Sequence, residues 1–207
     1  MESKETECGY CHNHGSGALI SPAKRLILSA VFIVLALVAL KPFLFSQICK
    51  RGGAYVAYPL YDDAVRQYKK ALVLNGQSDD AWDRLGYAYK GKGDTKKAVE
   101  TYRNAIKINS GNVMARFDLG MIYLINGDFD NAAGCFRYIV AMGKENEAAS
   151  SLGIISYHHS SCSMLVTCYE KMGKKDLMAR AARMTLKFYP DDKKAKDELL
   201  RVEGLSK

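Results

Sequence analysis

The side chains best equipped for chemistry stand together near the start of the chain, in Cys8-Gly9-Tyr10-Cys11-His12-Asn13-His14. Two thiols three positions apart, followed directly by a histidine, match the short pattern for covalent haem attachment. In that chemistry the thiols add to porphyrin vinyl groups and the imidazole ligates iron. With His14 included, the same residues make a thiolate and imidazole set suited to zinc. Their surroundings favour neither use. A haem c needs an enclosing apolar pocket, and the flanking Glu, Ser, Gly and Asn residues supply none. Four zinc ligands in so short a segment are too crowded for an ordinary structural site unless two chains share the ion. Residues 1–23 are therefore expected to be a plain polar tail without a cofactor. Haem c or zinc at Cys8, Cys11, His12 and His14, in a redox or metal-binding protein, is the alternative.

Other constellations are poorer. His158-His159-Ser160-Ser161 reads as a helix end or loop, because adjacent histidines point in different directions on a helix. Cys162 and Cys168 are the only nearby residues that hint at a metal. No glycine-rich phosphate loop follows a strand, and no carboxylates pair at a recognisable spacing, so an enzyme is not expected.

The elements that position these residues are helical. Four prolines in 207 residues, 48% apolar and 25% charged content describe a folded domain and not a disordered chain. A formal charge of +8 and a pI near 9.1 raise the question of nucleic acid. Lys and Arg are interleaved with Asp and Glu, however, as in Lys96-Lys97 beside Glu100, which describes a solvated helical surface. Nucleic acid is not expected as a partner; anionic lipid headgroups are a second partner for such a surface. Cys49, Cys135, Cys162 and Cys168 lie far apart on apolar stretches, which is no disulfide framework; Cys135, Cys162 and Cys168 read as thiols that fill helix-packing space.

From Leu26 to Leu40 the chain carries no charge, and after Lys41-Pro42 the apolar run resumes to Cys49. With Lys41 snorkelling, residues 24–49 meet the roughly 20 residues that a bilayer-crossing helix needs. A polar tail precedes Lys24-Arg25 and no small-residue cleavage site follows the run, so an uncleaved, single-pass N-terminal anchor is expected. Basic residues flank both ends and give the positive-inside rule no net vote. A signal-anchor topology with the repeats on the extracytoplasmic side is the expectation, and the reverse, with the repeats in the cytoplasm, is the alternative.

Beyond the anchor the chain repeats itself. Leu85-Gly86 recurs as Leu119-Gly120, Tyr89 as Tyr123, Gly93-Asp94 as Gly127-Asp128, Ala98 as Ala132 and Tyr102 as Phe136, each after 34 residues. Ala64, Tyr68, Ala71 and Asn75 precede the series by the same step. After an insertion of about a dozen residues, Leu165, Tyr169, Gly173 and Pro190 resume it. Each copy carries two apolar stripes at helical spacing separated by Gly-Asp, a helix stop followed by a turn. One helix pair cannot bury both stripes, so neighbouring pairs must stack.

The segment from Ala81 to Asn109 resembles the tetratricopeptide repeat, with Trp82, Leu85, Gly86, Tyr89, Ala98, Tyr102 and Ala105 at signature positions. The resemblance implies an all-α solenoid of helix-turn-helix units preceded by one transmembrane helix. Its organisation is a linker and partial repeat over 50–78, full repeats over 79–112 and 113–146, and an inserted helical stretch over 147–158. A degenerate repeat over 159–192 and a capping helix over 193–207 complete it. There are departures. Arg116 replaces the Trp, and Ser110 and Lys144 replace the usual Pro. Gly52-Gly53 and Pro59 interrupt the first helix of the first copy, and Met178 and Ala182 stand at the Ala and aromatic sites of the last.

The resemblance also implies function. First helices of such repeats line a concave groove in which partners dock. Carried over by position, these are Asp83, Arg84, Tyr87 and Lys90, with Asp80, then Met114, Phe117, Asp118, Met121 and Leu124, with Ile125. The last repeat offers Ser163, Met164, Thr167 and Lys171. Phe117, Met121 and Leu124 suit a peptide or amphipathic helix. The Lys and Asn clamp of chaperone-binding members is absent, so chaperone tails are not the expected ligand. A membrane-tethered scaffold for protein–protein interaction or complex assembly is the function implied.

Overall fold

The computed structural model describes residues 21–143 and 157–204, and every regular element in them is an α-helix. The cysteine and histidine tail, and nearly all of the inserted stretch over 147–158, lie outside the described residues. The helices are α1 (Pro22–Ala57), α2 (Tyr61–Leu74), α3 (Asp79–Lys92), α4 (Thr95–Ile108), α5 (Val113–Ile125), α6 (Phe129–Met142), α7 (Tyr157–Lys171), α8 (Lys175–Phe188) and α9 (Lys193–Val202). Residues up to Pro42 form one compact unit and those from Phe43 onward form another.

The first unit holds the start of α1, a helix long and apolar enough to cross a bilayer. Leu26, Phe32, Leu35 and Val38 all stand exposed.

The second unit is the repeat array. Sequence punctuation sets its helix boundaries. The turns α3–α4, α5–α6 and α7–α8 are the same device used three times. A glycine with positive φ (83° at Gly93, 78° at Gly127, 67° at Gly173) stops the helix, and the next amide donates back to a carbonyl of the last turn. Asp94 N–H thus reaches the Tyr89 carbonyl at 2.9 Å, as Asp128 reaches Tyr123 and Lys174 reaches Tyr169. Side chains then start the following helices: Ser78, Asp94, Asn112, Asp128 and Asp192 each accept a bond from the amide three residues on.

Small-against-large packing joins the two helices of each pair. A Cβ on Gly86 would lie 2.7 Å from the Tyr102 ring, and one on Gly120 would lie 2.9 Å from Phe136. Gly52 meets Tyr68 at 2.7 Å in the same way. This corrects the expectation that Gly52-Gly53 interrupts the first repeat and opens a linker at residue 50. Helix α1 continues to Ala57, and its end supplies the first helix of the first pair. The last repeat inverts the fit: buried Val166 stands at the glycine position and buried Ala182 at the aromatic one.

Arg116, the residue in place of tryptophan, does the tryptophan's work. Trp82 Nε1 donates to the Gly76 carbonyl at 2.9 Å, and Arg116 Nη2 donates to the equivalent Ser110 carbonyl at 3.0 Å. Its guanidinium also lies 3.6 Å from the Tyr138 ring centre. Asn109 and Asn112 both donate to Asp79, tying one repeat to the next without the family's proline.

Two clusters make the core, one built on α2 to α5 and one on α6 to α9, with Tyr123 packed against both. Leu199 and Val202 of α9 cover the second cluster, as a capping helix must. Cys135, Cys162 and Cys168 are buried; desolvation raises the Cys135 thiol and pushes Cys168 up to about 11, which removes thiolate reactivity at neutral pH. The first helices pack in series, α3 on α5, α5 on α7 and α7 on α9, and form an inner row. Helices α2, α4, α6 and α8 make the outer layer.

Candidate groove on the inner helix row

The inner row brings together side chains from α3 and α5 at matching turns. On α3, Arg84 Nε forks onto both oxygens of Asp80, at 2.9 and 2.8 Å, which fixes its guanidinium along its own helix. Lys90 crosses to α5 and pairs with Asp118 at 2.9 Å, while its ammonium stands 4.7 Å from the centre of the Tyr87 ring. Tyr102, from the core behind, donates its hydroxyl to the other Asp118 oxygen at 2.9 Å. Asp118 is therefore the hub of the row. The sequence gives no sign of the Tyr102 contact, because that tyrosine occupies a core position.

Asp83 differs from every other acid there. It is 7% exposed, and its Oδ1 has no hydrogen-bond partner. Burial, with Asp118 and Asp80 adding repulsion against the opposing pull of Arg84 and Lys90, pushes its carboxyl up to about 7. Burial is also the main reason why Tyr102 and Tyr157 titrate above the usual phenol range; Asp118 adds to both shifts.

The apolar members are less open than their spacing suggests. Met114, Phe117, Met121 and Leu124 are half-buried, and the last three pack against the second core cluster. Phe117 sits edge-on to Phe136 and to Tyr157, with ring centres 5.7 and 5.3 Å apart. Tyr87, 44% exposed, and Ile125, 78% exposed at the end of α5, are the large apolar side chains that the row offers to solvent. At the far end, Ser163 and Thr167 hold the cap: Ser163 donates to Asp192, and Lys194 donates to Thr167 at 2.8 Å. Those two polar groups are engaged with α9. The usable groove therefore centres on α3 and α5. A separate cavity of about 350 Å³ opens between α2, α3 and α4, with Trp82, Tyr89 and Leu72 among its walls.

Among the described residues no group of three or more His, Cys, Asp or Glu side chains could hold a metal ion. His159 lies against Asp192 at 2.5 Å, and His158 bonds to the Tyr189 hydroxyl at 3.0 Å. Both contacts join α7 to the loop before α9.

Stacked helix pairs with glycine-stopped turns and glycine-against-aromatic packing define a tetratricopeptide solenoid, and the family's sequence profile agrees. It matches residues 60–112 and 83–147, so the chain carries tetratricopeptide repeats over that span. Solved structures of the same fold include a MamA protein, at 18% identity and TM-score 0.64 over 78% of this chain and 84% of that one. MamA residues 41-end from Desulfovibrio magneticus RS-1 give 14% and 0.59, over 78% and 94%. The Sgt2 TPR domain from Aspergillus fumigatus gives 19% and 0.52, over 64% and 81%. At such identities the likeness is one of fold. No curated protein matches the chain by sequence.

Proposed function

We propose that this protein is a membrane-tethered scaffold that holds a protein segment against α3 and α5 and catalyses no reaction. The observation that carries the reading is the composition of the inner row. Exposed Tyr87 is flanked by the Lys90–Asp118 pair on one side and the Arg84–Asp80 fork on the other, over a half-buried floor of Phe117 and Met121. An aromatic anchor ringed by oriented charges suits an amphipathic helix or an extended peptide. The tether is α1, supported by its length, hydropathy and exposed apolar surface. The repeats stand on the extracytoplasmic side of the bilayer.

Tyr87→Ala is the sharper probe, because Phe117 and Met121 also support the core. Quantitative pull-down from detergent extracts, comparing wild type with Tyr87→Ala/Lys90→Ala, should show one set of co-purifying proteins reduced about tenfold. Equal recovery by a folded double variant overturns the groove. Protease protection in sealed vesicles reads the orientation: digestion of the repeats only after the bilayer is opened, in right-side-in vesicles that enclose the extracytoplasmic space, supports the stated side.

A further inference from the structure

We propose that the outer helix layer docks onto anionic lipid headgroups of the bilayer that holds the chain, an inference that rests on the tether reading above. Its basis is a ladder of cations that recurs with the repeat. Lys69, Arg103, Arg137 and Arg183 occupy the same position in α2, α4, α6 and α8, one residue after Tyr68, Tyr102, Phe136 and Ala182. Those four neighbours are all buried, and all four basic residues are exposed. Residues with one phase relative to the core share one side of the solenoid, so the four charges line the outer layer. One turn further along the same face, Lys107 and Lys187 extend two of the rungs.

The rest of the unit does not dilute this charge. Acidic and basic side chains balance within α3, α5 and α7, whereas Lys and Arg outnumber Asp and Glu in the outer layer as a whole. The excess of +8 is thus not spread evenly over the surface. Among the described residues Lys69, Arg103 and Arg137 have no carboxylate within ion-pair distance. Arg183 pairs with Glu203 at 2.8 Å in a partly exposed contact. Lys69 and Arg103 instead lie near the faces of Tyr89 and Tyr123, each 5.9 Å from the ring centre, which extends the side chains while leaving their charge to solvent.

A periodic row of cations, three of its four rungs without an ion pair among the described residues, calls for an extended anionic surface. Chain connectivity selects the bilayer: the first repeat follows the apolar span directly in the chain, so headgroups are present at high effective concentration. Val73, 86% exposed on the same layer, adds an apolar contact suited to an interface.

The test uses the full chain in nanodiscs of phosphatidylcholine alone or with about one third phosphatidylserine. Amine labelling read by mass spectrometry reports each lysine. Lys69, Lys107 and Lys187 should label about threefold more slowly in the anionic discs, with Lys92 and Lys194 unchanged, and the difference should vanish in about 0.5 M salt. Arg103→Glu/Arg137→Glu should abolish the protection while leaving helicity and the two control lysines as in wild type. Equal labelling in both lipids overturns the proposal, as does protection that appears only when an oligonucleotide is added. Carbonate extraction separates the two readings. A chain washed from the discs removes the tether, whereas a retained chain without lipid-dependent labelling removes only the outer-face contact.

Discussion

Asp83 carries a titration that can be read against the fold. Its carboxyl is pushed up to about 7 by burial, and its ordinary value is 3.8. Between those values the folded protein holds a proton that the unfolded chain has already released, so stability falls as pH rises through that window. Below 3.8 both states are protonated and the penalty is absent; above 7 it is complete. Asp83→Asn keeps the size and removes the charge. The variant should be more stable than wild type by about 1–3 kcal/mol at pH 8, with the gain shrinking towards zero near pH 4, in paired urea titrations. A pH-independent difference would place the cause elsewhere. The resemblance to the repeat family marks Asp83 as an inner-row residue, by its place after Trp82. Its orphaned oxygen is invisible in the sequence, because it depends on Tyr102 and Lys90 both committing to Asp118. Arg116 teaches the same lesson in reverse. It reads as a lost signature residue, yet its guanidinium reaches the carbonyl equivalent to the one Trp82 reaches. Arg116→Ala should cost about 1–2 kcal/mol, whereas Arg116→Trp should cost less, by thermal or urea unfolding.

At the scale of the element, what makes a repeat is the fit between its two helices. Gly86 and Gly120 are legible as repeat positions, and so are the aromatics that fill the space beside them. Gly52 is the same position one step earlier, but glycine reads as a helix breaker and costs about 1 kcal/mol in a helix interior. Packing against Tyr68 overrides that preference, a tertiary effect that local propensity cannot report. The last repeat carries Val166 at the glycine position and Ala182 at the aromatic one, both buried in the same cluster. Ala182→Phe alone should overpack this pair and cost about 1–3 kcal/mol, and Val166→Gly alone should cost about as much through the cavity and the helical glycine. The double variant restores the arrangement of the other repeats. It should therefore lie above the sum of the single changes by about 1 kcal/mol or more in a double-mutant cycle. Additivity would mean that the two positions do not meet.

Across the whole molecule, the boundary between the apolar unit and the repeat unit falls inside one helix. The apolar run alone predicts an anchor over 24–49, with a linker and partial repeat over 50–78 after it. In the structure α1 extends through Gly52, and Tyr55 and Val56 pack against the first core cluster beside Tyr68 and Val65. A solenoid depends on covered ends, because each repeat buries its faces only against neighbours. The end of α1 is therefore a cover for the first repeat, just as α9 is the cover for the last. Where the chain is cut decides which property is lost. A truncation starting at Phe43, the first residue of the repeat unit, removes the apolar span and keeps the cover. It should be released from membranes and melt in one cooperative transition. A truncation starting at Tyr61 also lacks the span but uncovers Tyr68 and Val65. Its Tm should fall by about 5 °C or more, with a greater tendency to aggregate. Equal melting of the two truncations would show that residues 43–57 add nothing to the stability of the repeats. Lower stability of the shorter chain alone would show that the end of α1 is part of the first repeat, because the two truncations differ only in whether Tyr68 and Val65 stay covered.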